Sequence, residues 1–410
     1  MLQNHRSGDS IKMDISRSEV TSVEQKKARV VAVPCDDYDP EKVYTAVRSG
    51  IQALGGWDAF LRPEEHVLVK PNLLKPADAD SAVTTHPAVL RAVLRLLQEY
   101  GCSSVRFGDS PGHDTGAHAL ERIGFRADET VCGAQLAPMT EEVRVDFPEG
   151  MTEKEFWFAR EVTEADAIIN VCKMKTHALM RVTGAVKNLF GLLCGTRKAR
   201  EHVRFPNDGL FARMLVDIHR CVKPRLHIMD AIVAMEGNGP GSGNPVQMGL
   251  LLFSADPVAL DTVFCSLIYM DPALVPTNAQ GEAMGLGTCQ TNAIELVLVS
   301  PDGTDESMSV EIFAEEYGKP DFDAIREQKG MLARSLSMLS MFSRRPVIHA
   351  DQCVRCGICV AHCPVPGKAL TFRNGKDHPP VYDRKKCIRC YCCQEMCPQK
   401  AITAELWRRG

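Results

Sequence analysis

The sequence lacks several features that would place it in common protein classes. It has no apolar run of about 18 or more residues, the length needed to cross a bilayer. Its polar N-terminal segment has neither the apolar core of a secretion signal nor a twin arginine. Its 48 Lys and Arg nearly balance its 52 Asp and Glu, so no net field attracts nucleic acid. We therefore expect a cytoplasmic protein with no transmembrane segment and no nucleic-acid partner.

Three common cofactor motifs are also missing. The chain has no G-x4-G-K-[ST] phosphate loop and no C-x3-C-x2-C run of the kind used by radical enzymes that bind S-adenosylmethionine. The glycines from Gly237 to Gly243 do not form a dinucleotide fingerprint, because prolines interrupt them and a strand is predicted to follow. This loop is either a plain mobile connection or a cradle for an anion, with Gly239 and Gly241 as its cofactor-binding positions.

Cysteine is abundant, and its distribution is uneven. Of the 17 cysteines, nine lie between Cys353 and Cys397. Thiols at short spacing in a reducing compartment are more often metal ligands than disulfides. Two segments, CVRCGICVAHCP and CIRCYCCQEMCP, follow the pattern C-x2-C-x2-C-x3-C-P of two-cluster bacterial ferredoxins, in which the fourth cysteine of each run binds the other cluster.

This pattern predicts two [4Fe-4S] clusters with crossed ligands. Cluster one is expected to be held by Cys353, Cys356, Cys359 and Cys397, and cluster two by Cys387, Cys390, Cys393 and Cys363. Zinc is the alternative for paired C-x2-C motifs, but it needs a longer gap between the pairs. Four ligands per cluster favour electron transfer over substrate binding at iron. Cys392 fits neither set and is interpreted as a small residue beside cluster two, or else as a redox-labile thiol that tunes it.

The rest of the chain alternates apolar β-branched runs with amphipathic helices. ARVVAVP, HVLVKPN, SSVRFGDS, ADAIINVCK and RLHIMDAIV are predicted strands, and TGAVKNLFGLL is a predicted helix. This favours an α/β fold with a mostly parallel sheet covered by helices, followed by a small C-terminal ferredoxin-like α+β module. The predicted domains are a flexible segment (1–27), an α/β domain (28–300), a linker with a docking helix (301–349) and a ferredoxin domain (350–410).

Polar residues follow the predicted parallel strands, which is where open α/β sheets bind ligands. The lysines there would attract an anion, and His177 could move a proton near neutral pH. We therefore predict a site with three catalytic candidates, His177, Lys175 and Asp109. Its predicted cofactor-binding residues are Lys70, Asn72, Lys173, Lys187, Asn188, Asp230, Gly239 and Gly241. Each of them could instead be a solvated loop residue.

The order of several motifs resembles the family called domain of unknown function 362. These motifs are VLVKPNLL, THPAVLRAVLRLL, FGDSPG, INVCKMKTH, GAVKNLFG, MDAIVAMEGNGPGSG and SADPVALDTV, and they span roughly residues 65–270. The resemblance implies an iron-sulfur protein of unspecified reaction, because members often carry a C-terminal two-cluster ferredoxin segment. The positions typical of the family are Lys70, Asn72, Asp109, Lys173, Lys175, His177, Lys187, Asn188, Asp230, Asp256 and Asp261. Some members have an export signal, which this sequence lacks.

Three functions are compatible with these observations. The favoured one is a ferredoxin-linked oxidoreductase that passes low-potential electrons to a small anionic substrate or organic cofactor at the strand ends. The alternatives are an electron-transfer subunit that docks a protein partner, and a non-redox enzyme with structural or sensing clusters. A pure carrier does not need a large domain with polar strand ends, and a non-redox enzyme does not need two clusters. The expected partners are an electron donor or acceptor protein and a small anionic ligand, and the presence of an additional organic redox cofactor is left open.

Overall fold

The computed structural model describes residues 27–112, 114–126, 130–195, 197–300, 304–325, 344–373 and 375–406. The N-terminal segment predicted to be flexible lies outside the described residues, except for Lys27. The predicted docking helix, from Met331 to Phe342, also lies outside them. Both interpretations therefore stay predictions.

A ten-stranded sheet forms the centre of the described residues from 27 to 325, which we call the sheet unit. The strands of the described residues are β1 (Ala28–Pro34), β2 (His66–Pro71), β3 (Ser104–Phe107), β4 (Gln135–Leu136), β5 (Glu142–Asp146), β6 (Glu155–Ala159), β7 (Ala167–His177), β8 (Arg181–Thr183), β9 (Leu226–Glu236), β10 (Asn244–Ser254), β11 (Ile294–Val299), β12 (Asp305–Met308), β13 (Arg345–Ile348), β14 (Leu370–Thr371), β15 (Val381–Tyr382) and β16 (Ile402–Glu405). The sheet has the order β12-β11-β1-β10-β9-β7-β2-β3-β4, and β8 pairs with β7.

Most strands of this sheet run in one direction. β2 pairs in parallel with β3 and β7, β7 with β9, and β1 with β11. β10 is antiparallel to β9 and β1, because it returns directly from β9 through the glycine-rich loop. The predicted class, α/β with a mostly parallel sheet, is confirmed. The arrangement brings the C-terminal ends of β1, β2, β3, β7 and β9 to one edge, where ligands of such sheets bind.

Helices cover both faces of the sheet. The helices of the described residues are α1 (Pro40–Ala53), α2 (Pro87–Tyr100), α3 (Gly116–Arg122), α4 (Arg160–Glu164), α5 (Ala185–Asn188), α6 (Arg197–Arg204), α7 (Asp208–Val222), α8 (Pro257–Leu267), α9 (Pro276–Ala283), α10 (Val310–Tyr317), α11 (Ile358–Ala361) and α12 (Cys392–Glu395), of which α11 and α12 belong to the C-terminal module. Side chains alternate along β1, so Val31 and Val33 pack with α1 and α2, whereas Val30 and Ala32 pack with α8 and α10. Among the described residues, no helix is both long and apolar enough to cross a membrane.

The segment TGAVKNLFGLL, predicted as one helix, is broken. α5 ends after four residues, and the 3-10 turn Leu189–Leu192 follows it. The buried carboxylate of Asp261 accepts the N–H groups of Ala185 and Val186 and so fixes where α5 begins. This contact comes from a residue far away in the chain, so local periodicity did not reveal it.

The C-terminal module consists of two short antiparallel pairs of strands and two short helices. β13 pairs with β16, and β14 pairs with β15. β13 begins the module before residue 350, whereas β12 extends the sheet beyond residue 300. Near the start of the predicted linker, 301–349, β12 therefore belongs to the large sheet. Near its end, β13 belongs to the C-terminal module. The division of the chain into four domains stays a prediction.

Two buried histidines should make the stability of the sheet unit depend on pH. The rings of His219 and His227 lie 5.5 Å apart, and both are about 1% exposed. Burial lowers the pKa of His219 to about 4 and the pKa of His227 well below its usual value. The unfolded chain takes up protons near pH 6.5, so folding is disfavoured as pH falls below that value. We expect urea unfolding to show a loss of about 1 kcal/mol per histidine between pH 6.5 and 5.5.

Glutamine variants provide the control for this effect. In the double variant His219→Gln with His227→Gln, the unfolding free energy should decrease less between pH 6.5 and 5.5 than it does in the wild type. The double variant is expected to start from a lower stability. His118→Gln, at an exposed position of α3, should leave this decrease unchanged. An unaltered decrease in the double variant would mean that other groups cause the acid sensitivity.

Candidate functional site

The two cysteine runs have the same backbone shape. In the first run, Arg355 and Gly357 have φ angles of 57° and 84°. In the second run, Arg389 and Tyr391, at the equivalent positions around the second cysteine, have φ angles of 59° and 63°. Left-handed residues at these two points curl each loop tightly, and a short helix, α11 or α12, follows. The duplication in the sequence is thus also a duplication in the backbone.

Four cysteines of these loops are buried, and two of them lie within hydrogen-bond distance of a donor. Cys359, Cys363, Cys393 and Cys397 are each less than a tenth exposed. The N–H of Ala369 donates to Cys363 Sγ at 3.3 Å, and the hydroxyl of Tyr382 lies 3.4 Å from Cys393 Sγ. Hydrogen bonds to sulfur are one means by which proteins adjust cluster potentials. Sheltered thiols with donors to sulfur suit iron-sulfur ligation, while the assignment of eight cysteines to two crossed [4Fe-4S] clusters stays a prediction.

The glycine-rich loop docks the module onto the sheet unit. Gln394, in α12, donates to Asn238 O at 2.9 Å and to Gly239 O at 3.1 Å. In return, Asn238 donates to the carbonyl of Ile402 at 2.9 Å. A β-carbon at Gly239 would lie 2.3 Å from Thr176 O, so the close approach requires glycine there.

Gly241 also lies at a crowded place. A β-carbon there would come 3.1 Å from the ammonium group of Lys75, which itself donates to the carbonyl of Glu395 at 3.4 Å. The structure therefore places Gly239 and Gly241, predicted to bind a cofactor, at the contact between the two units.

His177 faces the module at the end of β7. Its Nδ1 accepts the N–H groups of Leu179 and Met180 at 3.0 and 3.2 Å, so Nε2 carries the ring proton. Nε2 lies 3.1 Å from Glu395 Oε1, although the two are not aligned as a good hydrogen bond. Burial lowers the pKa of His177 to about 4, which keeps the ring neutral. Glu395, its partner across the contact, was not singled out in the sequence, where it is one acidic residue of a cysteine loop.

Two of the predicted lysines are already paired with carboxylates. Lys70 is buried and forms an ion pair with Asp109 at 2.8 Å. Lys173 is buried and forms an ion pair with Asp230 at 2.8 Å. The hydroxyl of Tyr38 donates to the second oxygen of Asp230 at 2.9 Å and accepts from Lys173 at 2.8 Å. These charges are neutralised within the protein and are not open to solvent.

Lys175 is buried without a carboxylate partner among the described residues. Its ammonium group donates to Asn72 Oδ1 at 2.6 Å and to Val83 O at 2.8 Å. Burial lowers its pKa well below the usual value, and the positive charges of Lys187 and Lys173 lower it further. It holds the loop after β2 in place through these two acceptors.

Asn188 joins these groups into one network. Its Oδ1 accepts from Asn72 Nδ2 at 3.0 Å and from Lys70 Nζ at 3.3 Å. Its Nδ2 donates to Asn170 Oδ1 at 2.7 Å. Gly191 lies against the same network, because a β-carbon there would come 1.9 Å from an oxygen of Asp109. The break in the predicted helix therefore brings Asn188 and Gly191 against the strand ends.

A cavity of about 490 Å³ lies between this network and the module. The sheet unit contributes Lys187, Lys198 and His202 to its lining. The module contributes Cys363 and Cys392, together with Glu395 from the contact described above. One wall of the cavity thus contains Cys363, a predicted ligand of cluster two, and another wall is the cationic end of the sheet unit.

Lys187 is the cation of this cavity that is available to a ligand. Its ammonium group has no hydrogen bond or ion pair with any residue that the structure describes, and it lies 6.0 Å from the ring centroid of Phe190. Burial lowers its pKa, while the negative charge of Glu395 opposes this change. Lys198, by contrast, donates to the carbonyls of Ser110 and Pro111. Burial lowers the pKa of Lys198 to about 8.

His202 completes the lining of the cavity. Its ring stacks on Phe211 with centroids 4.4 Å apart, and its Nδ1 has no hydrogen-bond partner among the described residues. Burial lowers its pKa to about 4. The sequence around it, RKAREHVR, reads as a surface helix, and no periodic signal separates His202 from the charged residues beside it. His202 and Lys198 were therefore missed in the sequence.

Comparison with known proteins identifies two domains in this chain. The domain of unknown function DUF362 matches residues 67–266, and a 4Fe-4S dicluster domain matches residues 345–403. A thylakoid-associated protein of Synechocystis is 35% identical over 256 residues, which are 61% of this chain and 77% of that protein. The chain belongs to the DUF362 family. It carries the 4Fe-4S dicluster domain at its C terminus, which supports iron-sulfur clusters over zinc at the cysteine runs.

Two solved structures are similar in part to this member of the family. The lactate racemase apoprotein from Thermoanaerobacterium thermosaccharolyticum has a TM-score of 0.39 and 10% identity, and the match covers 58% of this chain and 56% of that one. A protein from Thermotoga maritima has a TM-score of 0.35 and 14% identity, with 55% and 57% covered. The chain thus spans a little over half the length of each.

The DUF362 match contains all the sheet-unit residues that line the cavity. Lys187 lies in the family motif GAVKNLFG, whereas Lys198 and His202 lie in the following helix, α6. Of the residues predicted as a single site, Lys70, Asn72, Lys175, Asn188 and Asp109 are brought together. Lys173 and Asp230 form a separate pair with Tyr38, and His177 contacts the module instead.

Proposed function

We propose that this protein is a ferredoxin-linked oxidoreductase that passes low-potential electrons to a small anionic substrate or organic cofactor in the cavity between its two units. The observation that carries this proposal is the shared lining of the cavity: Cys363 is a predicted ligand of cluster two, and Lys187 is a partly buried lysine without a partner among the described residues. A partly desolvated cation without a partner is unfavourable, and a bound anion would offset that desolvation. When bound, the clusters would supply electrons one at a time.

The residues of the chain have distinct tasks in this proposal. Lys187 binds the anionic group of the ligand through a charge-assisted hydrogen bond. His202 is neutral and presents a ring nitrogen that orients a polar group of the ligand. Leu73, Phe190 and Met396 provide apolar walls, which exclude water and strengthen the interaction with Lys187.

The ion pair of Lys70 and Asp109 and the amide of Asn188 support this arrangement from behind. They hold the loops after β2 and β3 in position beside the cavity. In this proposal, Asp109 and Lys175 are positioning residues rather than catalytic groups. Gln394 and Asn238 hold the module against the sheet unit, so that the distance between the bound ligand and the module stays constant.

Replacing Lys187 by methionine tests the proposed ligand site. The variant keeps most of the side-chain stem and removes the charge, so the clusters should assemble normally. A charge-assisted hydrogen bond contributes about 1.5 to 3 kcal/mol, so the apparent affinity for an anionic oxidant should fall roughly 10- to 150-fold. The measurement is anaerobic reoxidation of the dithionite-reduced protein by a panel of anions that carry a reducible group, such as 2-oxo and α,β-unsaturated carboxylates, and the absorbance of the clusters reports the rate.

Two controls accompany this experiment. Lys187→Arg keeps the charge and should retain most of the affinity, while Lys376→Met, at an exposed position of the module, should behave like the wild type. Equal concentration dependence in Lys187→Met and the wild type would contradict the proposed site. Reoxidation by a protein acceptor alone, with none by small anions, would favour the function of an electron-transfer subunit.

The cellular location is also a proposal. We propose the cytoplasm, because thiols at short regular spacing that serve as metal ligands are typical of a reducing compartment. The relative from Synechocystis is named as a thylakoid-associated protein, so association with a membrane surface is the alternative that cell fractionation would distinguish.

A further inference from the structure

A second cavity, of about 660 Å³, opens on the outer side of the C-terminal module. It is bordered by β13, β15, the end of β16 and the loop that begins at Cys387. We call it the basic groove, because its lining includes Arg345, Arg384, Lys385 and Arg389. Glu405 is the one carboxylate among its lining residues. The side chains of Arg384 and Lys385 are exposed and form no ion pair with any residue that the structure describes.

Apolar surface borders these charges. Val381 and Leu406, which also line the basic groove, are each 44% exposed. Cationic side chains around exposed apolar residues are typical of a surface that binds an acidic protein, because the charges steer the approach and the apolar residues are buried on contact. The other side of the module is occupied by its contact with the glycine-rich loop.

We propose that the basic groove docks a small acidic electron-carrier protein, of the ferredoxin or flavodoxin type, which delivers electrons to this protein. The position of Cys387 carries the argument. Cys387 lines the basic groove, whereas Cys363 lines the cavity between the two units. In the crossed ligand pattern both cysteines hold cluster two. A carrier in the groove therefore contacts Cys387, one predicted ligand of cluster two. Cys363, another predicted ligand of the same cluster, faces the cavity.

Charge favours a protein carrier over the other occupants of such a surface. A free small anion would not use the two exposed apolar residues, and an anionic membrane would not require a cluster ligand in the floor of the groove. An acidic carrier uses the cationic residues, the apolar residues and the position of Cys387 together. The proposal does not depend on the substrate of the cavity, and it holds equally if the final acceptor is a protein.

The test is the rate at which a reduced acidic carrier reduces the full-length protein. The variant Arg384→Glu with Lys385→Glu reverses two charges of the basic groove. Electrostatic steering changes association rates by about 10- to 1000-fold, so the second-order rate constant at low salt should fall at least about tenfold. Its decrease with increasing salt should also become smaller. Stopped-flow absorbance with a reduced plant-type ferredoxin as the probe measures both.

A matched variant and a small reductant complete the experiment. Arg373→Glu with Lys376→Glu changes the same number of charges at exposed positions of the module outside the groove, and should reduce the rate much less. Reduction by methyl viologen radical should proceed at the wild-type rate or faster in the groove variant, which shows that its clusters are intact. Reoxidation by anions should also be unchanged, so failure of the docking proposal is distinct from failure of the proposed function.

Three outcomes would overturn the proposal. The first is an equal rate and equal salt dependence for the groove variant and the wild type. The second is an equal loss in the two double variants, since that reflects net charge alone. The third is groove-dependent binding to vesicles of anionic lipid with unchanged reduction by the carrier, which assigns the surface to a membrane. If the groove variant contains less iron than the wild type, Arg384→Gln with Lys385→Gln is judged by the same criteria.

Discussion

Replacing Cys363 by serine is expected to remove one cluster and leave the other in place. The wild type prepared without oxygen should contain about eight iron and eight sulfide per chain, and the variant about four of each. Cys363 lies in the first cysteine run, but the crossed pattern makes it a ligand of cluster two. Electron paramagnetic resonance of the reduced proteins should therefore lose the signal of cluster two together with the magnetic coupling between the clusters.

The second cysteine run supplies the control for this prediction. Cys392→Ser changes a thiol that fits neither ligand set, so both clusters should assemble. Cys390→Ser should remove the same signal as Cys363→Ser, because both residues are assigned to cluster two. A variant of Cys363 that loses the signal removed by Cys356→Ser would show that the ligands are not crossed. Reoxidation by small anions should be lost in Cys363→Ser, since that cysteine lines the cavity.

Replacing Lys173 by methionine is expected to destabilise the sheet unit strongly. The ammonium group of Lys173 lies 2.8 Å from Asp230, and both side chains are about 1% exposed or less. Without the lysine, the carboxylate of Asp230 stays buried with only the hydroxyl of Tyr38 and the N–H of His86 as donors. Removing one partner of a buried ion pair costs about 3 to 5 kcal/mol. Urea unfolding of the wild type and the variant measures this loss.

A surface lysine and a double variant distinguish the buried pair from a general effect of charge. Lys42 pairs with Asp36 and Asp37 in an exposed position, so Lys42→Met should cost less than about 1 kcal/mol. Lys173→Met combined with Asp230→Asn removes both charges and should recover part of the lost stability. If Lys173→Met unfolds at the same urea concentration as the wild type, the ion pair is not the structural element that its burial indicates.

The pairing of the buried lysines also changes the anion site predicted from the strand ends. Lys70, Lys173 and Lys175 were expected to attract a ligand, but the structure gives each of them partners from the chain itself. Lys187, which was predicted from its place in an apolar segment, is the lysine that remains available in the cavity. Residues in a strand-end position are recognised from sequence, whereas their partners come from other strands and depend on the sheet order.

Local pattern determined the main parts of this protein. Apolar runs between capped helices specify the strands and helices of the sheet unit, since burial on both faces requires such runs. The spacing of the cysteines indicates the 4Fe-4S dicluster domain, because three closely spaced thiolates must lie on one loop. These features need only residues that are near each other in the chain, so the sequence alone revealed them.

Only the tertiary structure decided which cationic side chains lack a partner among the described residues and which residues line the cavity. Lys198 and His202 reach the cavity because α6 is tied to the loop after β3 by the hydrogen bonds of Lys198. Glu395 reaches it because Gln394 and Asn238 hold the module against the glycine-rich loop. Each of these contacts joins residues far apart in the chain. Their energies depend on burial and on hydrogen-bond partners that no local pattern contains, and this is why the sequence indicated a site but not its composition.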